Sequence, residues 1–428
     1  MGSIVKSHQI EGTVAPGFEP VKKLFEHNMR TLFEKNTQLC VYHKGNKVVD
    51  LWAKSQDDNR FTADSIVNVF SSGKSLEAIA IASLVSKGLL RYEANIIEYW
   101  PEFGAEEKSS LTIADMMRHE AGLAAFNTSI DPEDLLTENL KKNTIGSIIE
   151  RHRQQYPESG NKREYHAITR GWIVNEVFRR VDPAGRTIGE FLRDDICIPL
   201  QADAHIGVKQ DDLNRRSAFI PLPLAYQLRQ GLKPKFLGRK MELNIFQMFT
   251  KIARLLPHFR KGTARGKPPA YIGMKSIHFF NDPEVVIGET PSANANCSAR
   301  GLAKIAAMMS QGGKWNDTQY ISQAAWKLMH DAPDRQDTGF MYTTFTQGGI
   351  AKFEQVHENP HHFDHAFNTG REGFYGWQGA GGSIFQWHPK HHVGFGYVPT
   401  SLNLLDLFNE RGKTYQVEVI KCIEALNK

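Results

Sequence analysis

The stretch from Lys74 to Leu90, KSLEAIAIASLVSKGLL, limits the fold more than any other part of the chain. Its apolar residues recur on almost every face of a helical wheel, and a helix apolar all round has to be wrapped by other elements. It does not read as a membrane span, because Ser83, Ser86, Lys87 and Gly88 interrupt it before the roughly 18–20 apolar residues a span needs. The chain therefore folds around a buried helix. Ser71-Ser72-Gly73 leads into that helix, and Lys74 stands in its first turn. A cation there faces the positive end of the helix dipole, where it is disfavoured by about 0.3–1 kcal/mol. Something other than helix stability selects Lys74.

Ser71 and Lys74 lie three residues apart, so a helix beginning here puts both side chains on one face a single turn apart. A serine hydroxyl is a poor nucleophile until a base takes its proton. A lysine is that base only when neutral, and burial, a helix N-terminus and nearby cations all lower its pKa. Backbone N–H groups at the helix start can also hold an oxyanion. The plainer reading is that Ser71 or Ser72 caps the helix while Lys74 reaches out to water.

Residues 18–35 place Phe18, Val21, Phe25, Met29 and Leu32 on one helical stripe. QLCVYHKGNKVVDLWAK follows, with alternating residues around a Gly45-Asn46 turn, the mark of a hairpin. GGSIFQWHPKHHVGFGYVPT repeats that pattern with HPKHH as the turn, and RGKTYQVEVIKCIEALNK is helical by spacing. Region 100–200 is helical in character, and 241–261 has apolar residues at near-helical spacing with basic residues between them. The expected fold is α/β of the α+β type: an antiparallel sheet drawn from both termini and flanked by helices, with a mostly helical subdomain. The expected boundaries are about 15–70 and 290–428 for the sheet part and about 71–290 for the helical part, including a basic insertion at 225–290, all in one catalytic unit of 428 residues.

VFSSGKSLEAIAIASLVSKGLL, then YWPEFG and LTIADMMRHEAGL, resembles the serine β-lactamase-like family, which includes class C β-lactamases, penicillin-binding carboxypeptidases and family VIII esterases. Its three ordered motifs have counterparts here: SxxK at Ser71–Lys74, a tyrosine motif at REYHAITRGWIVNEVFRRV, and a KTG-like motif at YGWQGAGGSIFQWHPKHHVGFGYV. The resemblance implies Ser71 as the acyl-forming nucleophile, Lys74 as its base and Tyr165 as the proton shuttle, its phenol pKa lowered by a nearby Lys⁺. It also implies an oxyanion hole from the backbone N–H groups of Ser71 and Ala380, with Gly379 allowing close approach of the strand and Trp377 lining the acyl pocket. Two positions depart from the β-lactamase pattern. Ala167 replaces the Asn or Ser that ends the tyrosine motif, and Trp377 replaces a lysine that would pair with a β-lactam carboxylate. Both favour ester cleavage.

Several rival readings are weaker. No GxSxG elbow occurs, and HEAGL at 119–123 is not HExxH. Gly379, Gly381 and Gly382 lack the GK[ST] ending of a phosphate loop, so no cofactor is expected. His357, His361, His362, Asp364 and His365 read as a solvated loop, and no metal is expected. Cys40, Cys197, Cys297 and Cys422 lie far apart without a CxxC pair, as reduced core thiols do. With no apolar leader at MGSIVKSHQIEG, a cytoplasmic protein is expected. Between Arg229 and Lys275, twelve Lys/Arg face the single acid Glu242. Solvated surface, peripheral contact with an anionic membrane, and a loop over the active site are all readings of that segment, and nucleic acid is not an expected partner. The expected activity is hydrolysis of a small-molecule carboxylic ester, or an amide, through acyl-Ser71. The alternatives are a β-lactam hydrolase or peptidase of the same family, and a non-catalytic scaffold that keeps the fold.

Overall fold

The computed structural model describes residues 8–237, 244–247, 249–250, 253, 262–338, 341–355, 362–406 and 408–428. Among these, the large sheet comprises β1 (His8–Val14), β2 (Thr37–His43), β3 (Asn46–Ser55), β4 (Asp334–Asp337), β5 (Tyr342–Phe345), β6 (Ala351–Lys352), β7 (Tyr375–Gln378), β8 (Ile384–His388) and β9 (Val393–Pro399). Their spatial order is β1-β3-β2-β9-β8-β7-β6-β5-β4, with neighbouring strands antiparallel. The two ends of the chain meet at its middle, where Thr37 of β2 lies opposite Pro399 of β9 and His43 opposite Val393. The sheet is therefore built from both termini, as the two hairpin patterns predict.

The first hairpin turns one residue earlier than its sequence suggests. Asn46 already pairs with His43, so the loop is Lys44-Gly45, with φ of 50° and 79°. A two-residue loop needs left-handed backbone at both positions to match the strand twist, and Gly45 supplies one of them without strain. The second hairpin turns through Pro389–His392, inside the HPKHH segment.

One face of the sheet is covered by α1 (Glu19–Thr31) and α5 (Glu410–Leu426), whose Phe25 and Tyr415 rings meet at 5.9 Å. At the foot of that face, buried Arg411 forms an ion pair with buried Glu34. On the other face, α4 (Ala299–Ser310) lies directly on β9. That closeness depends on glycine: a Cβ at Gly394 would stand 2.2 Å from the Ala307 amide nitrogen. Farther out, α2 (Lys74–Ser86) packs against α3 (Thr169–Val181) and the helix Gln323–His330. Every side chain from Lys74 to Leu84 is buried, as the all-round apolar pattern requires. The four cysteines are buried and free.

The expected helix at 241–261 falls largely outside the described residues, as do Lys251, Arg254, Arg260 and Lys261 of the basic stretch. His357 and His361 lie outside them too. The residues after them depart from the expected loop, because His362–Asn368 is helical. Burial of Phe363 and Asp364 anchors that helix, and Asp364 pairs with Arg335 at 3.1 Å. No described helix is long and apolar enough to cross a membrane.

The contact of α4 with β9 sets the spacing of everything stacked above it. Gly394→Val should lower unfolding stability by about 3 kcal/mol through overpacking, read from urea melts followed by circular dichroism. An unchanged midpoint would show that α4 does not rest on β9.

Candidate active site

The strand Val67–Asn68 delivers the chain to Phe70, which adopts φ 47°, a left-handed conformation uncommon for a residue with a side chain. Asn68 Oδ1 accepts the Phe70 N–H at 2.7 Å and holds that bend. One turn of 3₁₀ helix, Phe70–Gly73, then brings Ser71 to the head of α2. Lys74 is only 2% exposed, so it does not reach out to water. Its Nζ lies 3.3 Å from Ser71 Oγ and donates to the carbonyl oxygens of Ala167 at 2.7 Å and Ser292 at 3.0 Å. A neutral amine has two N–H bonds and one lone pair. In that form the two carbonyls take the N–H bonds and the lone pair is left for the Ser71 hydroxyl, whereas the protonated form donates to all three oxygens. Burial holds the Lys74 pKa well below the ordinary lysine value of 10.5, and the Arg170 cation adds to that against the opposing pull of Glu77.

Tyr165 stands over this pair, with its ring centroid 5.0 Å from Lys74 Nζ. Its phenol is hydrogen-bonded to Ser71 and accepts the Trp377 indole N–H at 2.8 Å. Here the phenol differs from the expectation that a nearby Lys⁺ lowers its pKa. Burial pushes the Tyr165 pKa up to about 12, and the hydrogen bonds with Ser71 and Trp377, with the charge of Arg170, only temper it. Burial thus draws the amine's pKa down and the phenol's up.

Trp377, on β7, is placed differently from its expected role. It lies beneath Tyr165, packed against Phe345 and Phe367, and is not on the wall of the cavity beside Ser71. The chain leaving β7 is pinned to the start of α2. Ser383 Oγ donates to the Val69 carbonyl at 2.7 Å and shares a 3.0 Å hydrogen bond with Ser72 Oγ. Gly379 makes this contact possible, since a Cβ there would stand 2.1 Å from Val69 O. Ser71 and Ala380 consequently border the same cavity of 470 Å³.

The sequence reading misses the polar layer under the lysine. Arg170 on α3, fully buried, donates to Glu77 at 2.9 Å, to the Lys74 carbonyl at 3.0 Å and to the Gly349 carbonyl at 3.1 Å. Ser292 Oγ donates to Glu77 at 2.5 Å, while its carbonyl takes the Lys74 N–H. His119 packs its ring 4.7 Å from that of Tyr165 and accepts the His166 backbone N–H at 3.0 Å. Burial and neighbouring cations keep His119 neutral. One signal was legible: Glu77 is an acid inside a helix otherwise apolar on every face, and it needs a buried cation to pair with.

A larger hollow of 840 Å³ lies at the opposite end of β7 and β8, lined in part by Trp326, His330 and His388. His330 is held there by Trp387 and the Trp326 carbonyl, and the lining of that hollow shares no residue with the cavity beside Ser71. Among the described residues no group of three or more His, Cys, Asp or Glu is placed to hold a metal ion.

Comparison with known proteins agrees with this architecture. A sequence profile of the family described as Beta-lactamase matches residues 21–413. The chain is 29% identical over 296 residues to the esterase/β-lactamase LipL of Mycobacterium tuberculosis (strain ATCC 25618 / H37Rv), a match spanning 67% of this chain and 61% of that protein. A penicillin-binding protein homologue from Caulobacter crescentus superposes with a TM-score of 0.75 at 25% identity, covering 97% of this chain and 100% of that one. A family VIII carboxylesterase shares the fold with a TM-score of 0.76 at 22% identity, over 97% and 100% of the two chains. A central all-apolar helix headed by SxxK, a terminal-strand sheet and the family match lead to one assignment: the chain belongs to the Beta-lactamase family, a family of serine hydrolases with esterase and β-lactamase members.

Proposed function

We propose that the chain hydrolyses a carboxylic ester through an acyl-Ser71 intermediate. The observation that carries this reading is the buried Lys74 amine, 3.3 Å from Ser71 Oγ, with its two N–H bonds taken by carbonyls. In the first half-reaction Ser71 Oγ bonds to the ester carbonyl carbon while its proton passes to Lys74 Nζ. The backbone N–H groups of Ser71 and Ala380 hold the oxyanion. As the tetrahedral centre collapses, the bond to the alkoxy oxygen breaks. Tyr165 gives that oxygen its proton and recovers one from Lys74, and the alcohol leaves. Water then adds to the acyl carbon, losing a proton along the same path. The bond to Ser71 breaks with return of the proton, and a carboxylic acid is released.

Two features favour an ester over a β-lactam. Trp377 offers an indole N–H to Tyr165 where a lysine would offer a charge to a carboxylate, and Ala167 offers only its backbone carbonyl, to Lys74. The rival reading, a scaffold without activity, has no need of a neutral lysine beside a serine.

Intact-mass analysis with a fluorophosphonate probe tests the nucleophile without a known substrate. One adduct should form on the wild-type chain and none on Ser71→Ala, and Lys74→Ala should cut ester turnover by about a thousandfold. Labelling that survives Ser71→Ala sinks the proposal. The pH profile follows from the two pKa directions. A base works only when deprotonated, so kcat/KM should reach its plateau well below 10.5 and show no alkaline fall until the pH nears 12. Arg170→Met, which removes a cation from beside the amine, should move the acid limb to higher pH, whereas an unmoved limb would separate Arg170 from the base. Trp377→Phe keeps an aromatic ring but loses one N–H donor to Tyr165. At about 1–1.5 kcal/mol for a net hydrogen bond, kcat should fall roughly tenfold with KM little changed; a change confined to KM would instead place Trp377 in substrate binding.

A further inference from the structure

Resting on that hydrolase reading, we infer that the 470 Å³ cavity beside Ser71 is an acyl-chain site for uncharged esters of medium length, on the order of eight to twelve carbons. The lining argues for the chemistry. Phe70, Ile168, Ala270, Met274, Ile277 and Phe280 line the wall, with further apolar side chains between them. Phe70 and Phe280 are almost wholly buried and meet edge to face at 5.8 Å, and Phe219 closes on Phe70 at 5.0 Å. Apart from Ser71, the polar side chains on the wall are Lys275 and Ser276, both exposed at the rim. A carboxylate or a sugar inside would lose its water with no partner in return, whereas an alkyl chain gains about 0.8 kcal/mol per methylene buried.

The position of the proton donor decides which half of the ester enters. Ser71 and Ala380 lie on the cavity wall, but Lys74, Tyr165 and Trp377 do not. The leaving oxygen must face Tyr165 to take its proton. The remaining substituent of the tetrahedral carbon, the acyl group, therefore points away from Tyr165 and into the cavity. Ala167 belongs to this arrangement: it lies on the wall with a methyl group only, while its carbonyl holds Lys74. At about the 30 Å³ that a water takes in the liquid, 470 Å³ has room for about sixteen methylene-sized groups, so a chain of eight to twelve carbons fits.

The test compares p-nitrophenyl acetate, butyrate, octanoate and decanoate with the isomeric pair ethyl octanoate and octyl acetate, which have equal hydrophobicity and opposite placement of the chain. Each buried methylene contributes up to about fourfold in kcat/KM. Octanoate should exceed acetate by about a hundredfold or more, and ethyl octanoate should be cleaved at least tenfold faster than octyl acetate. Met274→Trp, which fills the cavity, should lower the octanoate-to-acetate ratio at least tenfold. That ratio is internal to each preparation, so loss of folded protein does not imitate it. A flat or falling chain-length profile, a preference for octyl acetate, or an unchanged ratio in Met274→Trp overturns the acyl-site inference while leaving ester hydrolysis intact. If no ester is turned over and the fluorophosphonate leaves Ser71 unmodified, the hydrolase reading fails and takes the acyl site with it.

Discussion

A lysine amine buried inside the protein, its pKa held well below 10.5, is the constraint on which the rest of this structure depends. Placed at the head of α2, a lysine meets the positive end of the helix dipole, and a protonated one would also carry the cost of removing a charge from water. Both effects weaken once the amine is neutral. The surroundings of Lys74 match that state: two carbonyls for two N–H bonds, a hydroxyl for the lone pair, and a fully buried guanidinium close by. Arg170 also neutralises Glu77, so the acid one turn along the helix is bound to Arg170 and Ser292 rather than to Lys74.

The fold serves this arrangement by bringing two hydrophobic cores to one seam. Trp377 belongs to the core beneath α1 and α5, while Phe70 and Leu76 belong to the core around α2. Tyr165 packs on the first core and reaches Ser71 at the edge of the second. Ser383 and Gly379 fasten the end of β7 to the chain just before Ser71. Ser71 and Ala380, from distant parts of the sequence, therefore border one cavity because the Ser383 hydroxyl and the side-chain-free Gly379 hold the two segments together.

Much of this was legible in the sequence wherever one residue breaks a local rule. Lys74 contradicts the dipole, and the all-round apolar helix demands burial. The hairpins were visible because alternation and turn residues coincide, although the first turn lies at Lys44-Gly45, since both loop positions need left-handed backbone. Family resemblance supplied Tyr165 and the third motif, and the 2.8 Å hydrogen bond between Trp377 and Tyr165 shows that the two motifs meet. What stayed hidden depends on contacts between distant segments. Arg170 sits in a helix that also carries half-buried arginines, and nothing local distinguishes it from Arg179 and Arg180. The sequence likewise predicts a Tyr165 pKa lowered by a nearby Lys⁺, because the burial that raises it to about 12 exists only after folding.

The most direct test is to titrate that amine. Lysine labelled with ¹³C at Cε, with Lys74→Arg used to assign the signal, reports the protonation of each lysine by NMR as the pH is raised. The account predicts that the signal of residue 74 titrates far below 10.5, apart from the exposed lysines. A signal that titrates with them, at or above 10.5, would leave Ser71 without a base and contradict the account.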